Sequence, residues 1–211
     1  MRILIVAPNS DLQNLAELIA AAGESQPTIL HQTVTNRELL NTLSGGQYQI
    51  VHFAGHGERM ELELNDGPLS VDMLSSAIQE GAQPMLMFFN SCASLPAAAH
   101  MHSYGVGYVI GWRQEDLGDD QAGSFAVTFH NTLRLNGFDV HRAFATATEG
   151  MHRHYPGYEE PVLINGRMAV LLKEMDALRA LLKDRNTRTE YTGHIIGAVA
   201  LVVALVSIFL R

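Results

Sequence analysis

Three residues in this chain have chemistry to offer: His52, His56 and Cys92. The histidines lie in "IVHFAGHGE" (residues 50–58), and the single cysteine comes shortly after "MLMFFN". A thiolate is a strong nucleophile and a thiol is not, so a reactive cysteine needs a base within reach. Imidazole is the natural base near neutral pH. Gly55 and Gly57 flank His56. Glycines there allow close backbone approach and can leave an N–H free to stabilise an oxyanion. A lone cysteine in an intracellular chain with histidine partners is a candidate nucleophile. The plain alternative is a small buried hydrophobe.

The elements must bring these groups together. Residues 2–7 and 48–54 are apolar runs that read as strands, as do "MLMFFN" and "VGYVIGW". Residues 28–34 read as another strand, and "PVLING" as a last short one. Between them lie helical patterns at residues 11–22, 36–43, 71–79, 97–104, 122–135 and 140–151. Thr35 with Glu38 forms a capping box, Ser70 is an N-cap, and Gly23 is a helix stop. Residues 60–64 alternate and pair with the segment after Asp66-Gly67 as a small arm. Residues 153–160 read as a loop. Strands that are apolar throughout, separated by helices, predict a mainly parallel sheet covered on both faces.

In such sheets, ligands gather beyond the carboxyl ends of the strands. His56 lies just past one strand end and Cys92 just past another. If the two strands are neighbours, the two residues face each other. His52 lies inside its strand and reads as a core histidine that positions its neighbours.

Other chemistries fit less well. The net charge is −8 and no basic block occurs, which argues against nucleic acid as a partner. His100 with His102, and His152 with His154, are HxH pairs. Zinc needs three or four ligands, and His100 and His102, at i and i+2 on a helix, do not share a face, so no metal is expected. The turn "APNSD" is neither a P-loop nor GxGxxG, and no GxSxG comes after a strand. No cofactor is expected. A single cysteine fits a reducing compartment.

The C-terminal stretch differs in kind. Residues 195–210, "IIGAVALVVALVSIFL", carry no charge. Extended to residue 191, a helix there reaches about 30 Å, the thickness of a hydrocarbon core. Lys183, Arg185 and Arg188 precede it, which places the preceding domain in the cytoplasm by the positive-inside rule. The expectation is a single-pass tail anchor at residues 191–211 in the cell inner membrane. Gly193, Gly197, Ala200 and Ala204 form a stripe of small residues that suits helix–helix approach and self-association. Residues 167–190 read as an amphipathic juxtamembrane helix with Leu171, Met175, Leu178 and Leu182 on one side. The N-terminal apolar run is too short for a signal peptide.

These motifs resemble a known family. "IVHFAGHGE" resembles the histidine motif, and "MLMFFNSCAS" the cysteine motif, of the CHAT family of caspase-like peptidases related to caspases and separase. The segment "YGVGYVIGWRQEDLGDDQAGSFAVTFHNTLRLNGFDVHRAFATA" resembles the region C-terminal to the cysteine motif in that family, and the likeness covers roughly residues 48–148. The cysteine motif usually reads Ala-Cys-Glu, and here it reads Ser-Cys-Ala. The resemblance implies a three-layer α-β-α sandwich over residues 1–166. It implies His56 as base, Cys92 as nucleophile, and an oxyanion hole from the N–H groups of Gly57 and Cys92. It implies a substrate pocket lined by Asp120 and Asp119, a basic substrate residue and a protein substrate. Compact bacterial members suggest a role in defence beside a separate sensor. The alternative is a caspase-like membrane interaction module without turnover.

Overall fold

The computed structural model describes residues 2–8, 15–23 and 27–166. All of them belong to the first of two compact units, Met1–Val170. The amphipathic segment at 167–190, the anchor at 191–211 and its small-residue stripe lie outside the described residues. Among the described residues, no helix is long and apolar enough to cross a membrane.

Six strands form the main sheet: β1 (Ile3–Pro8), β2 (Thr28–Gln32), β3 (Ile50–Ala54), β7 (Leu86–Asn90), β8 (Tyr108–Gly111) and β9 (Val162–Ile164). Their order is β2-β1-β3-β7-β8-β9. The first five run parallel, and β9 runs antiparallel to β8. The all-apolar strands sit centrally: every residue of β1 and of β7 is buried. β2, which mixes polar and apolar residues, takes an edge.

Side-chain alternation sorts the helices. Ile3, Ile5, Ile50, Phe88 and Ile110 share one core with α1 (Leu15–Ala22), α5 (Asp119–Leu135) and α6 (Val140–His154). The other face of the sheet meets α4 (Leu95–Ser103) at Gly111. A Cβ built there would lie 2.8 Å from the Ala98 Cβ and 3.0 Å from the Ser94 carbonyl oxygen, so glycine is required. α3 (Val71–Glu80) packs on α4, and α2 (Asn36–Gly45) on α3. The result is a three-layer α-β-α arrangement. The expected arm is present as a second sheet of β4 (Gly57–Glu58), β5 (Glu61–Leu64) and β6 (Gly67–Ser70).

Local signals act as the sequence indicates. The Thr35 side chain accepts from the Glu38 N–H, and Ser70 from the Met73 N–H. Several boundaries differ. β2 ends at Gln32, whose φ of +66° leaves the strand conformation. α4 starts at Leu95, ahead of Ala97, because Pro96 fits a first helical turn. α5 starts at Asp119, three residues before the expected start at Ala122, so Asp119 and Asp120 form a helical first turn. α6 continues to His154, and the loop begins only at Tyr155.

Candidate active site

β3 and β7 are direct neighbours, in parallel register from Ile50↔Leu86 to Ala54↔Asn90. His56 and Cys92 each lie two residues beyond that last pair. They therefore occupy adjacent turns at the carboxyl edge of the sheet. His56 is exposed and Cys92 half-buried.

The histidine turn continues directly into the arm. The Glu63 N–H donates to the His56 carbonyl at 3.0 Å, and Gly57 stands opposite Leu62. Antiparallel ladders alternate hydrogen-bonded and non-bonded pairs, so Gly57 takes a non-bonded position and β5 does not use its N–H. A Cβ on Gly57 would lie 2.6 Å from the Glu61 carbonyl oxygen. Only glycine lets the chain pass there. The arm is tied down at both ends. The Asp66 carboxylate accepts from the Asn36 N–H at 2.8 Å, and the Arg59 carbonyl from the Ala97 N–H at 3.0 Å.

The cysteine turn is held by two side chains. Asn90 donates to the Ala122 carbonyl at 3.1 Å and accepts from the Trp112 indole N–H at 3.0 Å. One amide thus joins the ends of β7 and β8 to the start of α5. The Ser94 hydroxyl lies 2.7 Å from the Ser91 carbonyl and 3.0 Å from that of Phe89, and accepts from the Trp112 N–H at 3.1 Å. Between these anchors Ala93 is held at φ +46° by its N–H bond to the Gln114 carbonyl, 2.7 Å. The departure from the usual motif at Ser91 and Ala93 falls inside this turn. There Ala93 adopts a left-handed conformation uncommon for any residue but glycine.

Asp119 and Asp120 are both exposed in the first turn of α5. That turn is drawn to the cysteine strand by the Asn90–Ala122 bond. Carboxylates at a helix N-terminus are also favoured by the helix dipole alone.

His52 is fully buried, as its place in the strand implies. Its Nδ1 lies 2.9 Å from Nε2 of His130 on α5, and its ring sits 4.5 Å from that of Phe88. Burial, and then the neighbouring His130, push the His52 pKa well below the usual imidazole range. Burial lowers that of His130 to about 4. At neutral pH both rings are uncharged, and one donates its proton to the other's lone pair. His130 is the residue that sequence reasoning missed. Its signal was present: Phe125, Ala126, Phe129, His130 and Leu133 keep helical spacing and are all buried, so the histidine occupies a core position of α5.

Three of the four HxH histidines have other partners. His100 lies 3.1 Å from Asp72, His102 hydrogen-bonds to the Val106 carbonyl, and His152 pairs with Glu160.

Solved structures that share this fold include cysteine proteases. A secreted C11 cysteine protease from Bacteroides thetaiotaomicron, solved with an irreversible peptide inhibitor, superposes with a TM-score of 0.54 at 14% identity. The match covers 83% of this chain and 68% of the protease chain. The Arg-specific cysteine proteinase gingipain R gives 0.54 at 13% identity, over 74% of this chain and 43% of its own. The complex of the Porphyromonas gingivalis RgpB pro- and mature domains also gives 0.54 at 13%, over 74% and 44%. The fold is that of these cysteine proteases. The match spans less than half the length of the gingipain chains. No protein-family model and no curated protein matches the chain. The shared architecture is the mainly parallel, helix-covered α/β sheet of the caspase-like fold.

Proposed function

We propose that the domain is a caspase-like cysteine endopeptidase with His56 as base and Cys92 as nucleophile. The observation that carries this reading is the β3–β7 pairing, whose register puts the two turns side by side. In the proposed reaction His56 takes the thiol proton and the Cys92 sulfur attacks the scissile carbonyl. The oxyanion forms where the N–H groups of Gly57 and Cys92 can donate. Collapse expels the amine, which takes the proton back from imidazolium. A water activated by His56 then hydrolyses the thioester. The position of Gly57, off the β5 ladder, supports its part in this step.

Asp119 and Asp120 would attract a basic residue before the scissile bond. Their support is exposure and attachment of their turn to β7. Residues 191–211 would hold the domain on the cytoplasmic face of the inner membrane, near a protein substrate. Activity would await a partner or self-assembly, in keeping with a role in bacterial defence.

The deciding comparison is wild type against Cys92→Ala, with a peptide library and in expressing cells. Loss of all cleavage, with unchanged thermal unfolding, is expected. Equal cleavage by both proteins would end the peptidase reading and leave an interaction module of the same fold. Truncation after Glu190 is expected to release a soluble protein; a truncated chain that still sediments with membranes would remove the tail as sole anchor.

A further inference from the structure

The arm carries more than the histidine turn. Gly57 pairs with Leu62 and Glu58 with Glu61. Continued by one residue, the register sets His56 opposite Glu63, and the Glu63 N–H bond to the His56 carbonyl agrees with that pairing. Directly opposed residues in an antiparallel ladder share a face, with Cβ atoms about 4.5–5.5 Å apart. Burial identifies which face. Leu62, Leu64 and Leu69 turn inward at 1%, 3% and 0% exposure. Glu61 and Glu63 alternate with the two leucines of β5 and are exposed, as is His56. A carboxylate is therefore the cross-strand neighbour of the imidazole on the outer face of the arm.

Among the described residues, the ion pairs are His100–Asp72, His152–Glu160 and Arg153–Glu149, so Glu63 is not engaged in one. Glu58 and Glu61 share the outer face. They form the next pair along, about 7 Å further on at ~3.4 Å per residue. Only Glu63 stands level with His56.

We propose that Glu63 is a positioning residue for His56. The two side chains are not in contact in this structure, and on the proposal a rotation about their side-chain bonds brings the carboxylate to accept a hydrogen bond from the imidazole nitrogen turned away from Cys92. That bond fixes the tautomer, leaves the other nitrogen as base, and stabilises the imidazolium formed when the thiol proton is taken up. The arm supplies this group because it leaves the turn immediately after His56 and returns through β5. The inference rests on the Cys–His reading. Exposed charge pairs are weak and screened by salt, so the effect is modest, roughly fivefold.

The test uses the full chain and two measurements. The first is turnover of a cleaved library peptide. The second is the rate at which iodoacetamide alkylates Cys92, the only cysteine, read by mass spectrometry. Glu63→Gln keeps the shape of the side chain. It is expected to lower kcat and the alkylation rate by roughly fivefold at low salt with KM unchanged, and by less in high salt. Glu61→Gln is expected to match wild type in both. A Glu63→Gln protein indistinguishable from wild type overturns the proposal. So does an equal loss in Glu61→Gln, which would mean a diffuse acidic field and not a positioned carboxylate. If instead His56→Gln alkylates as fast as wild type and Cys92→Ala still cleaves, it is the Cys–His reading that fails.

Discussion

His52 and His56 lie on one short stretch of chain, and their surroundings differ in nearly every respect. His52 is inside β3, fully buried, between Phe88 and His130. His56 is past the strand end, exposed, on a turn that a glycine on each side keeps open. Burial forces the first ring to stay neutral and spends one of its nitrogens on a partner across the layers. The second keeps its ring free to meet another group. The difference shows that residue type offers chemistry, while position relative to the strand end decides whether it can be used.

The sharpest way to break that comparison is to substitute each histidine in turn. His56→Gln is expected to lower turnover at least about a hundredfold, the usual share of a positioned base, with little change in the unfolding midpoint. His52→Ala should do the reverse. It removes a core ring and strips His130 of its partner, a loss of about 2–4 kcal/mol. His130→Leu should also destabilise, because His52 then has neither nitrogen bonded. Replacing both by leucine removes the unpaired group, so the double variant should lose less than the two single losses added. Urea unfolding of wild type, His52→Leu, His130→Leu and the double leucine variant checks this. Strict additivity would show that the His52–His130 contact carries no energy. A folded His52→Ala with no activity would show that the comparison has the roles reversed.

Acid should act on one histidine region more than the other. His130 is lowered from 6.5 to about 4 and His52 also shifts downward. Between those values the unfolded chain binds protons that the folded chain refuses, so stability falls as pH falls. The contribution is complete above pH 6.5, declines below it, and is gone once pH drops through about 4. For His130 that is on the order of 3 kcal/mol. Denaturant midpoints measured from pH 7 to 4 should fall more steeply for wild type than for the double leucine variant. Parallel curves would mean that the buried pair is not what responds to acid.

Much of this was legible before any coordinates. Strands buried on both faces read as unbroken apolar runs, and caps such as Thr35 and Ser70 are local chemistry. That the turns carrying His56 and Cys92 adjoin was legible as a condition, because it needed only that β3 and β7 be neighbours. The direction of β9 was not, since antiparallel pairing at a sheet edge is set by the path of the chain after α6. The start of α5 was missed because its first turn is polar and lacks the apolar periodicity that marks the rest. His130 and Glu63 share one reason. Each matters through a residue distant in sequence or across a ladder, and that relation emerges only when helix face or strand register is known.

The smallest predicted effect concerns the arm's own outer face. Glu58 and Glu61 oppose each other directly, and like charges in that position are destabilising. The buried leucines behind them, and the ties to α2 and α4, hold the pair together against this repulsion. Glu61→Gln should therefore stabilise the protein by about 0.2–0.5 kcal/mol at low ionic strength, and by less in high salt. Thermal unfolding at two salt concentrations measures it. A loss of stability would mean that Glu61 has a favourable partner and that repulsion is not the dominant feature of this face. The gain matters for the histidine comparison because the same substitution should leave turnover alone. A carboxylate two residues from Glu63, on the same face, would then affect the arm's stability but not the imidazole. The contrast between His52 and His56 would repeat on a finer scale, with register in the place of burial.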